Sequence, residues 1–188
     1  MSEINEIDNL CIRRVLSGHQ EAFALLVDRY SRSVFDLVAA MVPQREDAEE
    51  LAQDAFVRAY QRLESFDSRR AAFLTWVSHI AYHLCLDHYH HLPAVRLDTD
   101  EQTLQKISDS EADSVMDTDD DHRIRLLTEA IRLLPPTERM LVQQYYFEER
   151  DLKVIAEIVD MSASTLATRL HRIRKKLYHW IKSHENGQ

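Results

Sequence analysis

Glycine is almost missing from this chain: Gly18 and Gly187 are the only two in 188 residues. A Gly-rich phosphate loop, a dinucleotide fingerprint and any sheet that relies on glycine turns are thereby excluded. Cysteine is equally sparse. Cys11 and Cys85 fall inside periodic segments without a metal-ligand spacing, as expected of two reduced cytosolic thiols. No uninterrupted apolar run exceeds six residues, the length of Leu37 to Val42. A membrane helix needs roughly 20. The opening MSEINEIDNL is acidic and lacks the basic, apolar, small-residue order of a secretory signal. A cytoplasmic protein that does not insert into membranes is expected. Nucleophile–base motifs and phosphate loops are also missing, so neither enzymatic chemistry nor a cofactor is expected.

What is present is helical periodicity and a lopsided charge. Apolar residues make up 45% and charged residues 29%, the balance of a globular chain. The formal charge of −9 divides unevenly. Residues 1–96 hold 10 basic and 14 acidic groups, residues 97–121 hold 1 and 10, and residues 122–188 hold 12 and 8. Ser162 to His184 contains six Arg and Lys and no Asp or Glu. Such a basic C-terminal helix on an acidic chain points to a polyanionic partner.

The 3.6-residue period predicts helices at about Ile4–Ser17, Gln20–Val42, Arg45–Glu64 and Arg70–His91. Gly18 stops the first and Pro43 the second. Four helices on short connections predict an N-terminal cluster with its own core. From Leu92 to about Asp121 apolar residues thin out, and a flexible acidic linker is expected. A second helical block starts near His122, with Pro136 suited to the first turn of a helix. The fold class is therefore all-α: two small helical domains, residues 1–92 and 122–188, joined by a linker over 93–121.

The stretch from Asp151 to Trp180 carries the functional signal. Leu152, Ile155, Ala156, Ile158 and Val159 form one short amphipathic helix. After the turn Asp160-Met161, Ser162 is suited to cap the next. On that helix, Leu166, Leu170, Ile173, Leu177 and Ile181 share one face, while Thr165, Thr168, Arg169, Arg172 and Lys176 lie opposite, with Lys175 at the edge and Ser164 at the start. Two short helices joined by a tight turn, the second cationic on its outer face, describe a helix-turn-helix over 152–172. Arg and Lys there release counterions from phosphates, and the first residues of the second helix reach base edges.

Taken together, these residues make the chain resemble an extracytoplasmic-function (ECF) sigma factor of the sigma-70 family. The C-terminal likeness lies in Leu134-Pro135, Glu138-Arg139, Ile155-Ala156-Glu157-Ile158, Ser164-Thr165-Leu166 and Arg169 to Leu177. The N-terminal likeness lies in Gly18, Ala22-Phe23, Leu26 and Tyr30, in Asp47 to Phe56 with Arg58-Ala59-Tyr60, and in Phe73, Thr75-Trp76-Val77, Ile80-Ala81 and Asp87-His88. The resemblance implies that the third helix docks core RNA polymerase through Glu50, Gln53, Asp54 and Arg58. The polymerase partners it implies are the largest-subunit coiled coil and the flap. It implies −10 promoter contacts from Phe66, Arg69, Arg70, Tyr82 and His88, with Phe73 and Trp76 in the core. It implies −35 contacts from the helix-turn-helix residues named above. Many such factors are held inactive by an anti-sigma protein.

Several positions depart from the family pattern. His88-Tyr89-His90-His91 stands where several Arg or Lys are usual, His83 where Asn is frequent, Asp160 where Gly is common, and Ala167 where Lys is frequent. His79, His83 and His90, with Asp87 nearby, share a helix face that invites a divalent metal, but His90 lies three turns from His79, and no metal site is expected. The alternatives are a stand-alone helix-turn-helix regulator, which binds duplex DNA tightly without polymerase, and a protein-interaction adaptor.

Overall fold

A computed structural model describes residues 3–89, 101–116 and 121–185. Among these, helices dominate and no strand occurs. The described residues pack as two compact units. The first joins the N-terminal helices to Val154–Asp160, and the second contains the remainder.

In the first unit, α1 (Glu3–Leu16), α2 (Ala22–Met41), α3 (Arg45–Gln61) and α4 (Phe73–Tyr89) form the expected four-helix cluster. Helix α1 ends where Gly18 takes a φ of 101° and its N–H bonds the Val15 carbonyl at 3.0 Å. A left-handed backbone there is easy for glycine and strained for other residues. Helix α2 ends at Val42, which turns extended (ψ 110°) ahead of Pro43. The predicted apolar stripe of α2 meets α3 and α4: Leu26, Val34, Leu37, Val38 and Met41 are fully enclosed, as are Ala48, Ala55 and Ala59 of α3 and Phe73, Val77 and Ala81 of α4. Small alanines let the α3 backbone approach its neighbours closely. One carboxylate enters this core. Asp8 is 2% exposed and accepts hydrogen bonds from Arg29 and from the Tyr30 hydroxyl, which clips α1 to α2. Burial, and then the Asp8 hydrogen bond, push the Tyr30 hydroxyl up to about 12.

The second unit is built around the long helix α10 (Ala163–Glu185), packed against α7 (Asp121–Leu133) and α8 (Pro136–Val142). Pro136 lies in the first turn of α8, as expected. A single wide turn, Gln143–Phe147, follows, and the chain then enters α9 (Leu152–Ile158), most of which belongs to the first unit. Leu166, Leu170, Ile173, Leu177 and Ile181 are all buried, so the predicted core face of α10 is the real one.

The acidic stretch differs from expectation. Residues 101–116 are not structureless linker but carry α5 (Glu101–Gln105) and α6 (Asp109–Asp113), both packed on α10. Leu104, Ala112 and Val115 are buried. Ser108 and Glu111 form a reciprocal capping box at the start of α6. Three apolar anchors and the cationic flank of α10 supply what composition alone does not. The rest of the expected linker, 93–100 and 117–120, lies outside the described residues.

Candidate nucleic-acid and polymerase interface

The turn between α9 and α10 forms as the residues dictate. Asp160 adopts a φ of 54°, a left-handed conformation that Asp tolerates better than most residues. Ser162 then caps α10, its Oγ accepting from the Thr165 N–H at 3.1 Å. The cap leaves Ser164, Thr165, Thr168 and Arg172 exposed along one strip, with Arg169 half-buried, its guanidinium 3.9 Å from the Met161 sulfur. Thr165, Thr168, Arg169 and Arg172, with Leu104, Glu138 and Lys176, line an open hollow of about 610 Å³. Its hydroxyls and guanidinium groups suit phosphates and base edges.

Two expected phosphate contacts are already engaged. Lys176 donates to both Glu138 oxygens at 2.8 and 3.0 Å. Lys175 lies 3.2 Å from Asp109 of α6. Their side chains are only 18% and 14% exposed. The same acidic segment takes the neighbouring flank of α10: Asp113 pairs with Arg174 at 2.9 Å, Asp109 sits 3.1 Å from the His171 ring, and Glu111 accepts from the Tyr178 hydroxyl at 2.9 Å. Lysines 175 and 176 therefore help hold the second unit together, while Ser164, Thr165, Thr168 and Arg172 are exposed to solvent and Arg169 is half-exposed. Sequence alone missed the acidic partners, since no local pattern relates Asp109 to a helix sixty residues on.

In the first unit, Glu50, Gln53, Asp54 and Arg58 are all exposed on one face of α3. That face borders an apolar groove of about 310 Å³ lined by Val27, Phe35, Ala52 and Phe56, with Ser31, Glu49 and Gln53 also lining it. A polar row along an apolar groove is what a partner helix needs: anchors below, charges beside.

The residues expected at the −10 element divide. Arg69 and Arg70 project outward with side chains 89% and 88% exposed, both beside Asp67. The Arg69 hydrogen bonds hold the Asp67 carboxyl down at about 2. Phe66 is half-buried, with its ring 5.2 Å from Trp76 and 5.9 Å from Phe73. Tyr82 is 5% exposed, so its ring belongs to the core here and does not offer a stacking face. His88 turns toward α3, 3.9 Å from Asp47. Phe73, at 1% exposed, is core as expected. His90, the third histidine of the candidate face on α4, lies outside the described residues.

The chain matches the family model for sigma-70 region 2 over residues 26–92 and that for sigma-70 region 4 over residues 124–177. It is 34% identical to the ECF RNA polymerase sigma factor SigW of Bacillus subtilis, over 88% of this chain and 92% of that one. It is 30% identical to the ECF RNA polymerase sigma-E factor of Escherichia coli, over 90% and 92% of the two chains. Among solved structures, CnrH in complex with the cytosolic domain of CnrY has the same fold, with a TM-score of 0.66, 21% identity and coverage of 94% and 98%. The sigma factor RpoE of Bartonella quintana, solved with the anti-sigma factor NepR, has a TM-score of 0.57 at 15% identity, covering 85% and 96%.

Proposed function

The chain belongs to the ECF sigma factors of the sigma-70 family, and from that premise we propose that it binds core RNA polymerase and directs promoter-specific initiation by differential binding, with no covalent step of its own. Residues 1–92 serve as the domain that grips polymerase and opened −10 DNA, and residues 122–188 as the domain that reads −35 duplex. On α3, Glu50, Gln53, Asp54 and Arg58 contact a polymerase coiled coil whose apolar side chains enter the adjoining groove. Arg69 and Arg70 contact the −10 backbone. On α10, Ser164, Thr165, Thr168, Arg169 and Arg172 contact the −35 element. A partner of the anti-sigma class competes for these same faces.

The observation that carries this reading is the open strip at the start of α10. Its far side is a fully buried leucine–isoleucine seam, so the exposed residues are held rigidly outward. Run-off transcription with core polymerase tests it. The chain and core together are expected to yield defined start sites, and Arg169→Ala with Arg172→Ala to lower that yield while leaving core binding intact. Tight duplex binding by the chain alone, with no promoter-specific transcript upon adding core, would instead favour the stand-alone regulator.

A further inference from the structure

Two positions that depart from the family pattern, His83 and Asp160, meet in the first unit. His83 Nε2 lies 3.1 Å from Asp160 Oδ2, and His79 Nδ1 lies 3.9 Å from that same oxygen. His79 and His83 are one turn apart on α4, their ring centroids 4.4 Å from each other. One ligating atom from each of the three residues falls within 4.8 Å of the other two. We propose that His79, His83 and Asp160 form a binding site for a divalent transition cation of the zinc class, completed by water.

The chemistry of the donors supports the assignment. Two imidazoles and one carboxylate are a common zinc set with an open position, and metal–ligand bonds of about 2.0–2.1 Å put tetrahedral neighbours about 3.3 Å apart. The His83–Asp160 separation is already close to that value, and short side-chain rotations bring in His79. Histidines at i and i+4 present two nitrogens on one helix face without backbone change. His79 Nδ1 also lies 3.2 Å from the Ile158 carbonyl. In the metal-free chain a proton on Nδ1 donates there, and a small rotation of the ring releases that bond and turns Nδ1 to the cation. The three side chains are 34%, 46% and 64% exposed, so the ion has a route in from solvent.

Chelator-stripped full-length chain titrated with Zn²⁺, and separately with Co²⁺ followed by visible absorption, tests the site. One saturable equivalent is expected per chain, with affinity at least tenfold weaker in His83→Asn and in Asp160→Gly. Neither substitution threatens the fold: glycine takes a φ near 54° without strain, and asparagine at position 83 is partly exposed. Far-UV circular dichroism of each variant should match the parent. His19→Asn, remote on the chain and exposed, is expected to keep full affinity. Absence of a saturable site in the parent, or undiminished affinity in both variants, overturns the assignment. Because this titration contains no polymerase or DNA, its failure leaves the transcriptional reading untouched.

Discussion

Several single side chains hold their protons more tightly in the folded chain than outside it. Burial pushes the Cys85 thiol up to about 12, and Tyr30 rises to about 12 as well. Free cysteine and tyrosine titrate near 8.5 and 10. The folded state thus binds these protons to higher pH than the unfolded state. The resulting stability is complete below pH ~8 and is lost as pH climbs through about 12. Urea unfolding should show a midpoint that falls steadily above pH ~9, with Cys85→Ala flattening the early part of the decline. Asp8 gives a second expectation. Asp8→Ala leaves the Tyr30 hydroxyl and Arg29 without their partner, and a loss of about 2 kcal/mol in urea unfolding is expected, since Arg29 remains partly wet. Residue identity alone indicated two reduced thiols, and both cysteines are free and buried. It did not reveal that Asp8, in a run of acidic residues, is the one that turns inward. Only the α1–α2 crossing decides that, just as the packing of α4 on α2 and α3 decides that Tyr82 is core.

At the scale of elements, the four N-terminal helices and α10 were legible because each has a long apolar stripe bounded by a stop signal such as Gly18 or Pro43. Their ends came within a few residues, the usual reach of such signals. Helices α5 and α6 were not legible. Five residues are too short to display a period, and their stability comes from α10, far along the chain. The capping box tests this dependence. Replacing both Ser108 and Glu111 with alanine removes the reciprocal caps and the Tyr178 contact together. Hydrogen exchange at 109–115 should then accelerate at least tenfold, while α10 amides keep their protection. Ser162→Ala is the parallel case at the start of α10. A destabilisation of about 1 kcal/mol in thermal or urea unfolding is expected from loss of that cap.

For the whole molecule, the separation of charge along the sequence proved more informative than its total. It pointed to the C-terminal block as the polyanion-facing part, but it overstated how many cations are available, because Lys175, Lys176 and Arg174 already have acidic partners. Salt dependence of promoter binding by the polymerase-bound chain should reflect this. Arg172→Ala is expected to lower the salt slope by about one, the value for one phosphate contact. Lys175→Ala and Lys176→Ala are expected to change the slope much less and to lower unfolding stability instead. Equal slope losses at all three positions would mean that the pairs with Asp109 and Glu138 open when DNA arrives. The proposal that the exposed row Glu50, Gln53, Asp54 and Arg58 docks polymerase comes from family resemblance alone, since composition does not separate a docking face from a solvated one. The apolar groove beside it adds physical support to that proposal.

The pinning of basic side chains by the acidic segment has a kinetic corollary. Counterions that are never displaced add nothing to attraction for bulk genome, so the pairing of Arg174, Lys175 and Lys176 with acidic groups is expected to shorten the dwell of α10 on random sequence. Under the proposed function, the search for a polymerase, rather than for a stretch of duplex, is then expected to govern when initiation begins.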